Sequence, residues 1–411
     1  MLSKLQLRGI GFVRNLEIEF GDRLNILTGD NGLGKSFLLD VIWFALTANW
    51  SGLPALPNLD QDDHGMNPQI LFQVSNEKEG ESVFLFDKQK WQDSYRPKTE
   101  NEIIIYSRID GGFSIFDPLR NFPRKKVYNF TSKQVLNGSL INNGFVSCAG
   151  LIHDLDYWQL KAMDSPYQIL QRVIQHLTHP DEQIEVGQSV RLTLDDSRQI
   201  PTLRLPYGNV PVTHASSGIQ RILSLAYMLV WTWEEHIQIA KLKRTEPLKK
   251  IVFLIDELEA HLHPKWQRTI LPAILEVCKP LNPKIEVQLV TTTHSPMVLA
   301  SAEPYFKEEL DKLFLFELLG SEVTLNEIPW VKQGDVVGWL TSEIFDLKQA
   351  RSREAEAAIG AAQAWAIGDP DYVYPDNLQT LAQIQAELEQ VIPGHDPFWI
   401  GWTVQNEARQ K

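Results

Sequence analysis

Five residues of this chain have the types and settings that phosphate chemistry requires: Lys35, Ser36, Asp256, Glu257 and His294. Lys35 and Ser36 close the run Gly29, Asp30, Asn31, Gly32, Leu33, Gly34, Lys35, Ser36, which fits the phosphate-loop pattern G-x-x-x-x-G-K-[ST]. Its glycines let the backbone curl so that successive N–H groups point inward at phosphate oxygens. In such a loop the lysine reaches the β- and γ-phosphates and the serine hydroxyl ligates Mg²⁺, so ATP and Mg²⁺ are the expected ligands. A strand-like apolar run (24–27) precedes the loop and a helix-like one (37–46) follows it, which is the context the pattern needs. A helix opening at Ser36 adds its positive dipole end to the anion site.

Residues 251–264, IVFLIDELEAHLHP, are an apolar strand ending in Asp256-Glu257. A carboxylate there holds Mg²⁺ directly or through water, and its neighbour polarises the attacking water. Helix capping is the other common use of such carboxylates. Residues 214–221, HASSGIQR, place Ser216, Ser217 and Gly218 at the start of a long apolar helix. That is either a second anion site or a plain serine N-cap. Residues 289–296, LVTTTHSP, end a buried strand in His294, at the separation from Asp256 expected of a neighbouring parallel strand. An isolated histidine there is more often structural, but in this company it is a candidate γ-phosphate contact. His261 and His263 flank Leu262 beside Glu259, without an evident third metal ligand.

Taken in order, GDNGLGKS, ASSGIQR, DELEAHLHP and TTTHSP resemble the motifs of ABC-type ATPase heads of the RecF/SMC/OLD-like branch, often grouped as bacterial AAA-family ATPases. The resemblance covers residues 1–300 or so. By position, Ser216 and Gly218 match the signature serine and second glycine, Gln220 and Arg221 the Gln-Arg that can follow, and His294 the switch histidine. Ser217 and Ile219 depart from the commoner pattern, leaving the signature contacts to Ser216, Ser217 and backbone N–H groups. The resemblance implies two heads packed head to tail, each signature turn closing over the γ-phosphate held by the other. It also implies a Mg²⁺-sensing glutamine near the junction to the helical subdomain. Gln159 is the candidate, with a plain surface glutamine as the alternative.

These residues need an α/β scaffold to position them. Continuous apolar runs at 251–255, 285–292 and 313–318 read as buried strands of a parallel sheet, and strands alternate with helices. Three strands precede or lead into the phosphate loop; 70–74, 82–86, 103–108 and 113–116 read as further strands, and 189–205 as a second β patch turning at Asp195-Asp196. Helices are expected at 167–177, 219–236, 352–367 and 378–391, and a basic linker at 241–250. The expected fold is α/β: a P-loop head with a mixed-sheet core, a β-rich N-terminal lobe, a helical signature subdomain and a helical C-terminal extension. The expected domains are a head over 1–335, with a polar insert at 49–68 and the signature subdomain at 150–248, and an extension over 336–411.

A net charge of −13 argues against a surface that coats nucleic acid, while leaving local basic patches at 120–126 and 241–250 as possible DNA contacts. Cys148 and Cys278 support neither a disulfide framework nor a cysteine metal site. The charged start, 1–14, has no leader pattern, and the longest apolar run, 222–233, is too short to span a bilayer, so a cytoplasmic protein without membrane contact is expected. No coiled-coil arm interrupts 48–214. Asp369-Pro-Asp371 lacks the preceding apolar strand of a nuclease acidic pair.

The C-terminal segments VGWLTSEIF, RSREAEAAI and PGHDPFWIGW resemble those of ATPases encoded beside HNH-type nucleases in Septu-like defence modules. The leading expectation is an ATP-hydrolysing head that forms a dimer or higher homo-oligomer and drives or gates a partner, in DNA maintenance or in defence with a separate nuclease. A slow-turnover, RecF-type DNA clamp is the alternative, and an intrinsic nuclease a weaker one. Trp399 and Trp402 either pin the tail to the head or a partner, or simply fill a core.

Overall fold

The computed structural model describes residues 1–410 apart from 59–66, 76, 98–100, 122–126, 141–145, 161–164 and 183. Residues 59–66 of the expected insert and 122–126 of the basic cluster therefore lie outside the described residues. The chain divides into two compact units, Met1–Gly334 and Asp335–Lys411.

The first unit is built on an eight-stranded mixed sheet. Its strands run in the order Glu322–Ile328, Asp311–Leu319, Leu24–Gly29, Glu286–Thr292, Lys250–Ile255, Ile103–Ser107, Phe113–Phe116 and Tyr128–Phe130. The inner five, from Asp311–Leu319 to Ile103–Ser107, are parallel, and antiparallel partners close both edges. Burial explains the pattern, because the 251–255 run is buried at every position, as a strand covered on both faces must be. A second, antiparallel sheet has the order Val13–Glu19, Leu2–Ile10, Gln69–Val74, Gly80–Leu85 and Lys90–Tyr95. Its strand Gln69–Val74 alternates half-buried and buried residues, which marks a single covered face.

The helix Lys35–Thr47 is buried nearly all round, and its Leu39, Ile42, Trp43 and Phe44 share one core with Leu5, Leu7 and Phe72 of the second sheet and Leu254, Val290 and Phe314 of the first. A helix apolar on every side belongs in such an interior. Trp43 and Leu46 are only 0% and 1% exposed, so the phosphate loop is mounted on a rigid base.

The region expected to form a helical signature subdomain contains the helices Leu151–Gln159, Pro166–Leu177 and Ser217–Lys243, and also a three-stranded sheet of Glu185–Val190, Ile200–Leu205 and Gly208–Pro211. The long helix runs past the expected end at 236 and absorbs Lys241 and Lys243 of the expected linker. The apolar pattern stops earlier, but Gln, Ala and Lys are good helix formers and continue the turn until Arg244, at φ +57°, ends it. Inside this helix His236 is fully buried. Its Nε2 accepts from the Leu248 N–H at 2.8 Å, so Nδ1 carries the proton and donates to Asp117 at 3.0 Å.

The second unit contains the helices Val336–Leu340, Arg353–Ile367, Leu381–Val391 and Phe398–Gln410. Small residues on the second of these, Ala358, Ala361 and Ala362, allow close packing against Ile384, Leu388 and Trp402. Trp402 is 4% exposed in this unit's own core and donates to Gln385 Oε1 at 2.7 Å; Trp399 donates to the Pro393 carbonyl at 2.9 Å. Core filling therefore accounts for Trp402, while Trp399 is half-buried against the same cluster. Asp369 follows the helix ended by Gly368 and accepts the Asp371 N–H at 3.0 Å, so it stabilises a turn rather than ending a strand.

Candidate nucleotide-binding site

Three parallel strand ends meet at one edge of the large sheet. Leu24–Gly29 pairs with Glu286–Thr292 (Leu27 opposite Thr292), and Lys250–Ile255 pairs with the other side of that strand (Ile255 opposite Thr291). The phosphate loop, His294 and the Asp256-Glu257 pair thus leave adjacent strands in the same direction. Ligand sites of open parallel sheets form at such carboxyl ends.

Two loop glycines are demanded by the backbone. A Cβ at Gly29 (φ +130°) would fall 2.3 Å from the Phe316 carbonyl oxygen, and Gly34 sits at φ +91°, in the left-handed region that favours glycine. Gly34 is also the N-cap of the helix Lys35–Thr47, and no side chain caps that end. Its first-turn N–H groups therefore suit an anionic ligand, and a triphosphate fits this donor set. Ser36 opens the same turn, and Asp256, 2% exposed, gives one oxygen to Thr292 and retains a second for a hard cation. Lys35 Nζ donates to the Gly29 and Asp30 carbonyls at 2.9 and 2.6 Å.

Burial pulls the Lys35 ammonium down to about 8, against the raising pull of Asp30, Glu257, Asp256 and Glu259. Those four carboxylates show that the loop and the acidic strand end share one electrostatic site. Burying the ammonium costs stability fully below pH 8 or so, and the cost fades as pH rises towards the ordinary value of 10.5. The charge available to a phosphate runs the opposite way and is lost above about 8. ATP binding should accordingly weaken about tenfold between pH 7 and pH 9, measurable by titration with a fluorescent ATP analogue. Equal affinity at both values would contradict it.

Around the acidic pair the backbone is locked. Asp256 N–H donates to the Ser107 carbonyl at 3.0 Å, and its Oδ1 accepts from Thr292 Oγ1 at 2.8 Å. The same Thr292 hydroxyl accepts the Glu257 N–H at 2.7 Å. Glu257 lies at φ +47°, a strained setting for a side-chain-bearing residue. His294 is half-buried, and burial together with the Lys35 charge holds its imidazole below the ordinary value, so it is neutral near pH 7. Its backbone N–H is held by Glu259 Oε1 at 2.6 Å.

The signature turn adjoins this loop within the same chain. Ser216 caps the helix Ser217–Lys243, its Oγ accepting the Ile219 N–H at 3.4 Å, while Ser216 and Ser217 both remain exposed. Gly218 is buried where a Cβ would lie 2.6 Å from the His261 carbonyl oxygen. One Arg221 nitrogen donates to the carbonyls of Asp256 and Glu257, at 2.7 and 3.0 Å. Gln220 donates to the Val212 and Thr213 carbonyls. A cavity of about 530 Å³ opens beside the turn, lined by Ser216–Ile219, His261–His263, Glu182 and Trp266. His263 Nδ1 accepts the Lys265 N–H, which makes it a helix cap, and among the described residues no group of three or more His, Cys, Asp or Glu is placed to hold a metal ion.

Gln159 is not part of this cluster. It ends the helix Leu151–Gln159 and gives its amide to the Gly187 carbonyl of the small sheet, at 3.0 Å. The turn after Ile103–Ser107 is the one that abuts Asp256, because those two strands pair directly. Sequence reasoning missed Thr292 and the holding roles of Glu259 and Arg221. The run of threonines before His294 and the D-E-x-E spacing were the available signals.

Two family models match the chain: "AAA domain" over residues 4–142, and "AAA domain, putative AbiEii toxin, Type IV TA system" over 163–300. The chain is 22% identical over 356 residues to the Septu protein PtuA of Bacillus thuringiensis, covering 84% of this chain and 83% of that one. It is 31% identical over 127 residues to the Retron Vc95 probable ATPase of Vibrio cholerae serotype O1 biovar El Tor, covering 29% and 23%. The SMC head domain from Thermotoga maritima superposes with a TM-score of 0.40 at 15% identity, over 80% of this chain and 99% of that domain. Among the described residues no helix is long and apolar enough to cross a membrane. Four motifs thus stand in order, three of them converging at one sheet edge and the fourth bonded to that edge, and AAA-domain models match two successive stretches of the chain, so the chain is similar to AAA-domain ATPases along the part that carries the site.

Proposed function

We propose that this protein binds ATP with Mg²⁺, closes head to tail on a second copy and hydrolyses the nucleotide, using the cycle to gate a partner in anti-phage defence. One observation carries the reading. Lys35, Asp256, Glu257 and His294 gather at a single sheet edge, while the exposed Ser216-Ser217 turn is bonded to the back of that edge through Arg221. In this reading the exposed turn serves a neighbour's nucleotide rather than its own.

In this reading Lys35 and the first-turn N–H groups of Lys35–Thr47 hold the phosphates, and Ser36 and Asp256 hold the cation. Mg²⁺, when bound, neutralises charge on the phosphates. Glu257 orients water and takes its proton; neutral His294 hydrogen-bonds at the γ-phosphate position. Ser216, Ser217 and Gly218 of the second copy complete the site. Likeness to Septu PtuA along most of both chains supports the defence setting, with a separately encoded nuclease as the proposed partner class. DNA contact would use the exposed Lys241, Lys243, Arg244 and Lys249.

Ser216→Arg tests the closure. The variant fills the exposed turn with bulk and charge while leaving the phosphate loop intact. By light scattering, the wild-type chain should at least double in mass with ATP and Mg²⁺, and the variant should gain none while binding an ATP analogue normally. A variant that assembles like wild type would overturn the head-to-tail reading.

A further inference from the structure

We propose that Glu259 is a positioning residue for His294, fixing the histidine against the loop that carries Glu257; the inference rests on the reading of the site as hydrolytic. The two carboxylate oxygens of Glu259 are divided between consecutive residues of the neighbouring strand end. Oε1 accepts the His294 N–H at 2.6 Å, and Oε2 accepts the Thr293 hydroxyl at 2.8 Å. Thr293 Oγ1 in turn accepts the Ser295 N–H at 3.1 Å. Hydrogen bonds to an ionised acceptor are about twice as strong as neutral ones, so this clasp is firm.

The commitment of both oxygens separates Glu259 from Glu257. Each Glu259 oxygen already accepts a donor from the neighbouring strand end, an arrangement suited to holding a backbone in place. The neighbouring contacts show what is being held. Thr292 ties its strand end to Asp256 and Glu257, and the Leu258 N–H bonds the Thr292 carbonyl at 3.1 Å. Apart from Glu259, backbone bonds fix this strand end as far as Thr293, whose N–H donates to the Leu27 carbonyl at 3.0 Å, and the chain has left the sheet at His294. Glu259 spans that gap. Its own loop continues to His261, whose carbonyl packs against Gly218, so the histidine and the signature turn are anchored to one segment.

A carboxylamide would retain most of this arrangement. Its oxygen still accepts the His294 N–H, and its NH₂ can donate to the Thr293 oxygen. Alanine removes both bonds. Misplacing a reacting group by about 1 Å costs up to about 100-fold.

The test uses the full chain with Glu259→Ala and Glu259→Gln. Glu259→Ala should lower kcat by about 10- to 100-fold with KM for ATP changed less than about threefold. In the ATP-free protein, the His294 amide should exchange hydrogen faster than in wild type. Glu259→Gln should restore most of the kcat and of the protection. Thr293→Val, which removes only the second bond, should give a smaller loss in the same direction and replaces the alanine variant if that one does not fold. Wild-type kcat or wild-type His294 exchange in Glu259→Ala, or equal losses in the alanine and glutamine variants, would overturn the proposal. If the wild-type chain hydrolyses no ATP, the hydrolytic reading fails, and the exchange at His294 still decides whether Glu259 positions it.

Discussion

Lys35→Ala should weaken ATP binding by at least about 100-fold and abolish turnover, because it removes the loop's cation, which in this reading meets the β- and γ-phosphates. The loss should not come from unfolding. Lys35 is 6% exposed, and the site holds its ammonium below its ordinary range at a cost in stability. Removing it deletes that cost along with two hydrogen bonds to the Gly29 and Asp30 carbonyls, which the loop can return to water. The melting temperature should therefore stay within a few degrees of wild type, while titration with a fluorescent ATP analogue shows the loss. Near-wild-type affinity in the alanine variant would mean that the loop does not hold the nucleotide.

Glu257→Gln should separate binding from chemistry. Glutamine fills the same space but takes no proton from water, and general-base catalysis is typically worth 10² to 10⁴ in rate, so turnover should fall about 1,000-fold. ATP affinity should be preserved, because Glu257 is fixed by its backbone, through Thr292 at its N–H and Arg221 at its carbonyl, rather than by its carboxylate. Single-turnover kinetics with ATP in hand would show binding without release of phosphate. A variant that turns over within tenfold of wild type would reassign the base.

What was legible in the sequence divides along a physical line. The strand 251–255 could be read because burial on both faces leaves a continuous apolar run, and the phosphate loop because its glycines meet a local backbone requirement. Lys90–Tyr95 carries no strand signal in the sequence, since this edge strand alternates in burial at Trp91 and Asp93 but one of those inward positions is polar. The true extent of Ser217–Lys243 was hidden because its last turns are exposed and held by helix propensity rather than by an apolar stripe.

The same line runs through the site. Lys35, Asp256, Glu257 and His294 announce themselves by position on short motifs. Thr292, Glu259 and Arg221 act through contacts 34 to 36 residues away, which no local pattern encodes. Gln159 shows the same in reverse: near the subdomain junction in sequence, it gives its amide to the Gly187 carbonyl, while the Ser107 carbonyl is what bonds the Asp256 N–H.

The central claim is that each nucleotide site is completed by the signature turn of a second copy. Mixing Lys35→Ala chains with Ser216→Arg chains tests it most directly. Each variant alone should be inactive. In a mixed head-to-tail dimer, the intact phosphate loop of one chain faces the intact signature turn of the other, so one site of the two is restored. At a 1:1 mixture neither variant pairs with itself on ATP, so the dimers that form are mixed, and ATP turnover should recover to at most about half the wild-type rate. No recovery on mixing two folded variants that are each inactive, or full activity of Ser216→Arg alone, would contradict the account.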